Sequence, residues 1–186
     1  KTMSTLFVDT INEKTTNNGI YIPGHVIQTV HATTNSRTSV VGTTFVSLLS
    51  LNITPKSSSS KILITCMFNG ASTDRYAAIK LFRTVGGTST QIAKNSDASG
   101  NRSAVWFEVF GNQAVWTTDS WQYQTYNQHG TFYDSPATTS QITYEITGGN
   151  TNNNGTLWMN RQTYGDDDAA WNHYPQTNLT VQEIGV

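Results

Sequence analysis

Charge is scarce in this chain. Asp, Glu, Lys and Arg make up 12% of its 186 residues, against a globular norm of roughly 25%. The formal net charge is -1, from 11 Lys plus Arg and 12 Asp plus Glu, and no segment gathers basic residues. Binding to nucleic acid depends on concentrated phosphate neutralisation, so nucleic acid is not an expected partner. Cysteine is almost absent. The single Cys66 cannot pair within the chain, and its place in the apolar run Ile62 to Phe68 marks it as a small core residue. Long apolar runs are missing as well: Phe45 to Leu51 and Ile62 to Phe68 fall far short of the roughly 18 residues of a membrane span. The N-terminus shows no cationic start followed by an apolar block, so neither a signal peptide nor a membrane anchor is expected. Stretches of Ala, Leu, Glu and Lys that would favour helix do not occur.

Hydroxyls and amides take the place of charge. Thirty residues are Thr, and Ser and Asn are also abundant, so the surface is solvated by neutral polar groups. Thr, Val, Ile, Tyr, Phe and Trp suit pleated, half-buried surfaces, and a chain of this length can bury one core. The fold expected is all-β, an antiparallel β-sandwich that is jelly-roll-like, with an extended N-terminal arm. The arm covers residues 1–24, where Leu6, Val8, Ile11, Ile20 and Ile22 are apolar residues in a polar setting, too sparse to form a core. These five are candidates for attachment to a larger particle or for trimerisation. Residues 25–186 form the sandwich.

Strands are expected near His25–Ala32, Thr44–Ile53, Lys61–Asn69, Ala77–Val85, Thr90–Lys94, Ser103–Phe110, Gln122–Asp134, Gln141–Thr147, Thr156–Gln162 and Asn178–Ile184, where apolar residues alternate or run together between turn residues. Val85-Gly86-Gly87-Thr88 is a hairpin signal, and Ser99-Gly100-Asn101 is another. The run from Gly148-Gly149-Asn150 to Gly155 reads as a polar loop outside the core. Trp106, Phe107 and Phe110 lie along one expected strand and read as core. A short helix is the alternative over Asp166–His173, stopped by Pro175.

Catalytic motifs do not occur: there is no Gly-x-Ser-x-Gly elbow, phosphate-binding glycine loop, dinucleotide fingerprint or His-Glu-x-x-His helix. His25, His31, His129 and His173 stand apart, without the close pairing usual at zinc. No enzyme activity, cofactor or metal is expected. Asp166, Asp167 and Asp168 are the densest charge in the chain, yet they lack the alternating ligand spacing of a calcium loop and read first as a solvated loop or helix start. Four Asn-x-Ser/Thr matches, at Asn52, Asn101, Asn154 and Asn178, are expected by chance in so Asn- and Thr-rich a chain. The aromatics say more. Trp116 and Trp121 bracket a loop, and Tyr164, Trp171 and Tyr174 flank the acidic cluster in another. Rings on loops stack on sugars or fill partner pockets, and these five are the receptor-binding candidates. The competing reading is that each ring packs beneath its own loop or at a subunit interface.

The opening MSTLFVDTINEKTTNNGIYIPG, with VIQTV, LNITPKSSSSKILI, YDSPATTSQITYEI and the closing LTVQEI, resembles a recurring module of virion structural and tail-fibre-like proteins of marine bacteriophages, including cyanophages. The phrases touch both ends and the middle of the chain. The resemblance implies location in the virion, on a phage tail or capsid surface, and a trimeric fibre architecture with other virion proteins as partners. It carries no catalytic motif. The expected function is a trimeric, non-enzymatic fibre or adhesin that contributes to recognition of a host-surface glycan or protein. The alternatives are a capsid decoration or fibre-base protein that binds only other virion proteins, and a glycan-degrading tailspike.

Overall fold

Alternation of apolar side chains sets the strands. In the computed structural model, which describes residues 10, 24–74, 76–96, 100, 102–110, 125–151, 155–163 and 173–186, β4 (Lys61–Ser72) places Ile62, Ile64, Cys66 and Phe68 on one face, each buried. The same period of two buries Ile79 and Leu81 of β5 (Ala77–Val85), Ile142, Tyr144 and Ile146 of β9 (Ile142–Asn150), and Leu179 and Val181 of β11 (Thr177–Ile184). Such side chains stabilise by roughly 1.5–3 kcal/mol each when fully removed from water. The remaining strands are β1 (Val26–Thr34), β2 (Thr38–Val41), β3 (Val46–Ile53), β6 (Thr88–Ile92), β7 (Phe107–Glu108), β8 (Tyr126–Asp134) and β10 (Thr156–Met159).

Two antiparallel sheets enclose one hydrophobic core. In the first sheet β8 lies along one edge of β4, while β11 and β10 share the other edge end to end. β1 then pairs with β11 and β2 with β10. In the second sheet the order is β3-β9-β5, with β6 and β7 sharing the far edge of β5. The order β1-β11-β4-β8 facing β3-β9-β5-β6, with successive strands changing sheet from β2 to β3, β3 to β4, β4 to β5, β7 to β8, β8 to β9 and β9 to β10, is that of a jelly roll, two interlocked Greek keys. The sandwich expected from composition and alternation is therefore present, with strand order added by the structure.

Several local expectations are corrected. β2 had no counterpart in the reading of the sequence, since four residues carry too short a pattern. Gly148, Gly149 and Asn150 are buried members of β9 rather than loop. A Cβ on Gly148 would lie 2.5 Å from Leu157 Cδ2 and 2.6 Å from Leu48 Cδ1, so the two glycines are sites of close approach, not flexibility. Along Ser103–Phe110 only Phe107–Glu108 is strand, and Val109 rather than Phe110 is buried. Phe110 is 66% exposed, while Trp106 and Phe107 pack on the core. The Val85–Thr88 hairpin is as expected: Gly86 and Gly87 have φ of 56° and 81°, which suits a type I′ turn joining paired Val85 and Thr88. The possible helix over 166–173 and the arm residues Leu6, Val8, Ile11, Ile20 and Ile22 lie outside the described residues, His173 excepted. No described helix is long and apolar enough to cross a membrane.

Candidate functional site

Ionisable groups inside the sandwich are committed to structure. Asp134, on β8, accepts from Arg83 Nη1 at 2.7 and 3.0 Å, from the Ser135 backbone N–H at 2.8 Å and from the Tyr144 hydroxyl at 2.7 Å. Both oxygens are thus occupied, and the carboxylate joins the first sheet to β5 and β9 of the second. Burial, reinforced by the hydrogen bond and the charge of Asp134, pushes the Tyr144 phenol far above its ordinary range. Glu183, fully buried on β11, accepts from Gln28 Nε2 at 2.6 Å and from the backbone N–H groups of Lys56 and Ser57 at 2.8 and 3.3 Å. Cys66 is a free, buried thiol, which burial pushes up to about 12, so it holds its proton and is no nucleophile at neutral pH. Among the described residues no group of three or more His, Cys, Asp or Glu side chains is placed to hold a metal ion.

Four of the five receptor-binding candidates, Trp116, Trp121, Tyr164 and Trp171, lie outside the described residues, as does the acidic run Asp166, Asp167 and Asp168. Tyr174 is described: it is 45% exposed, and the guanidinium of Arg37 stands over its ring, 4.7 Å from the centroid. The strand ends that bound the other segments are also in view. Phe110, which precedes 111–124, and Tyr126, the first residue of β8, bring their rings to 6.0 Å. Tyr126 pairs with Gly70 on one edge of β4, and Met159 pairs with Gly70 on the other. The start of β8 and the end of β10 therefore lie on the two sides of one residue, at one end of the sandwich. Gly70 is tight: a Cβ there would run into the Trp158 carbonyl and sit 2.7 Å from Phe68 Cε1.

Asn160 organises this end. It is fully buried with φ of 59°, a left-handed conformation that Asn tolerates better than most residues. Its N–H donates to the Asn69 carbonyl at 2.7 Å, its amide donates to the carbonyls of Thr34 and Ser36 at 2.8 and 3.0 Å, and its Oδ1 accepts from the Thr177 hydroxyl at 2.8 Å. One side chain thereby joins the β1–β2 turn to the exit of β10 and the entry of β11. Beside it Arg161 stacks over Trp158, 4.4 Å from the ring centroid. Arg37, Trp158, Asn160 and Arg161 were absent from the sequence-based candidates. Trp158 alternates with the buried Leu157 and Met159 and so faces outward; that alternation was a legible signal, whereas the stacking of an arginine on each of Trp158 and Tyr174 was not.

The fold and its buried polar ties define an all-β jelly-roll sandwich. No protein-family model matches the chain, and no curated protein matches it. Among solved structures, the chain is similar to the infectious bursal disease virus VP2 of a subviral particle, at 12% identity and a TM-score of 0.32 over 86% of this chain. The chain spans 38% of the length of that protein.

Proposed function

We propose that this chain is a non-enzymatic structural protein of a phage virion, a fibre or adhesin module that works as a homotrimer and contributes to recognition of a host surface. The resemblance of its ordered phrases to phage virion proteins supports the location. One structural observation supports assembly with copies of itself. On the outer face of the first sheet, three cross-strand rows, Thr33–Asn178–Met67–His129, His31–Thr180–Thr65–Thr131 and Thr29–Gln182–Leu63–Tyr133, contain no Asp, Glu, Lys or Arg. Met67 is 38% and Tyr133 53% exposed on it. A neutral face of hydroxyls and large side chains can meet a second copy without like-charge repulsion and without desolvating an unpaired ion, and closed cyclic symmetry is the usual outcome of self-association.

The test is solution mass by light scattering on protein that retains residues 3–24. A trimer is expected, and a 20.5 kDa species alone at micromolar concentration overturns the trimeric reading. The arm is expected to serve assembly rather than the fold. The backbone N–H of Gly24 donates to the Gly185 carbonyl at 2.8 Å, and Gly185 donates back to His25 at 2.9 Å, so pairing of β1 with β11 is complete from residue 24 onward. Deleting residues 1–23 is expected to leave the far-ultraviolet circular dichroism of a β protein and to lower the mass to that of a monomer. An unfolded truncation would make the arm an integral strand. Host-cell or glycan binding separates an adhesin from a decoration protein that binds only virion partners, and release of reducing sugar from a host polysaccharide would reveal a tailspike.

A further inference from the structure

The open edges of the two sheets are unequal. β1 and β3 are each broken by a bulge, between Val26 and Gln28 and between Ser47 and Leu49, and Gln28 Nε2 of β1 donates at 2.8 Å to the carbonyl of Thr54, just beyond β3. β2, β6 and β7 are short, at 4, 5 and 2 residues. β8 has none of these protections. It pairs with β4 in unbroken register over all 9 of its residues, and among the described residues no backbone bond reaches it from the side away from β4. Every second residue of an antiparallel edge strand turns its N–H and C=O outward, so this row is a template for another strand. Charge does not guard it either. Asp134 is the only Asp, Glu, Lys or Arg in β8, and its carboxylate is held inward by Arg83 and Tyr144.

Where the chain enters the sandwich indicates what covers this edge. Gly24 is bonded to Gly185 beside β1, on the edge of the first sheet opposite β8, with β11 and β4 between them. The arm before it holds Leu6-Phe7-Val8-Asp9-Thr10-Ile11, a run rich in strand-forming residues with neither Pro nor Gly. Asn12 to Pro23, 12 residues, span up to about 40 Å when extended, against about 14 Å for the three strand spacings from β1 to β8. The run can therefore reach a neighbouring sandwich. An arm laid on the next copy's edge is a head-to-tail contact, which closes into a ring, whereas β8 against β8 would be two-fold and stop at a dimer.

We propose that the open edge of β8 receives the arm of a neighbouring copy as an added strand, with Leu6–Ile11 pairing backbone to backbone along it, so that each copy gives one arm and takes one. The proposal rests on the trimeric reading above and names the contact that would close the trimer.

The experiment uses the full chain. Asn127→Cys, His129→Cys, Thr131→Cys and Tyr133→Cys, all on the exposed face of β8, are each combined with Val8→Cys or Asp9→Cys. Successive residues of a strand point to opposite faces, so one of the two arm positions shares that face. Cys66, buried and holding its proton, does not compete. After oxidation at micromolar concentration and separation without reductant, at least one pair is expected to give covalently linked trimers, and no single variant is expected to link chains. An internally linked monomer would mean that the arm folds back on its own sandwich, and dimers from a β8 variant alone would mean that β8 meets β8. Either overturns the proposal, as does the absence of any link. Amide exchange gives a readout without cysteine: Val8→Pro in the full chain removes a donor from the run and is expected to speed exchange of alternate β8 amides about tenfold or more, with β11 unchanged. Equal exchange in the two proteins overturns the proposal. Light scattering of the wild type separates the two readings: a trimer without an arm-to-β8 link overturns this contact alone, and a monomer overturns both.

Discussion

At the end of the sandwich formed by the β3–β4, β5–β6 and β8–β9 connections, buried polar contacts converge on carboxylates; at the opposite end they converge on amides. The first end has Glu183 and Asp134 on either side of Ile62, each paired with it across β4. One is held by Gln28 and two backbone N–H groups, the other by Arg83, Ser135 and Tyr144. The second end has Asn160, Asn69 and Asn150, each buried. Asn69 donates its backbone N–H to the Thr177 hydroxyl and its side-chain amide to the Gln176 carbonyl, and Asn150 reaches the carbonyls of Gly42 and Gly155. The difference follows from what each end must join. A carboxylate accepts several donors from a preformed turn and an arginine on the facing sheet, so it suits short, tight connections. An amide both donates and accepts, so it can tie the carbonyls of one turn to the hydroxyl of another strand where the chain makes longer excursions.

Removing Asp134 tests the charged end most severely. Asp134→Ala leaves the Arg83 guanidinium, 25% exposed, without its partner and the buried Tyr144 hydroxyl without an acceptor. The expected loss is about 3–5 kcal/mol in denaturant unfolding. A loss below about 1 kcal/mol would show that the inter-sheet tie contributes little and would remove the contrast between the ends.

Asn160→Ala is expected to cost about 3 kcal/mol, because two carbonyls and a hydroxyl lose their partner and alanine is strained at positive φ. Asn160→Gly separates these causes. Glycine accepts the backbone conformation freely, so the glycine variant should recover the strain of roughly 1 kcal/mol and no more. If alanine and glycine are equally mild, the amide knot is not what holds the excursion between β10 and β11.

The smallest effect sharpens the comparison through pH. Tyr144 has its pKa raised in the folded protein above the ordinary value of 10.0. Its contribution is therefore fully present below pH 10 and is lost as pH rises above it, because the unfolded chain releases the proton first. The slope approaches about 1.4 kcal/mol per pH unit. Tyr144→Phe is expected to cost about 1 kcal/mol at neutral pH and to flatten the alkaline loss. An unchanged alkaline profile would place that sensitivity on another group.

Much of the strand layout was legible, and the reason is local. Ile62, Ile64, Cys66 and Phe68 alternate, as do Leu179 and Val181, because a strand with one face on a core repeats every two residues. The Val85–Thr88 hairpin was legible because two glycines in succession serve a turn with positive φ at both central positions. The candidate rings were chosen by a rule about loops, and of the five only Tyr174 lies among the described residues. Trp158 lies in a strand and was passed over for that reason, while Arg37 and Arg161 carry no pattern at all.

By itself, then, the sequence determined the class of the protein: all-β, with a core of alternating apolar residues, a surface of hydroxyls and amides, and at least one tight hairpin. These are properties of composition and of near neighbours along the chain. Tertiary structure alone decided the jelly-roll order, the burial of Gly148 to Asn150, the choice of Val109 over Phe110 for the core, and the meeting of Arg83 with Asp134 and of Asn160 with Thr34. Each of these depends on which strand lies beside which. That order is set by pairings between residues as far apart as Thr29 and Gln182, about which the spacing of neighbours along the chain carries no information.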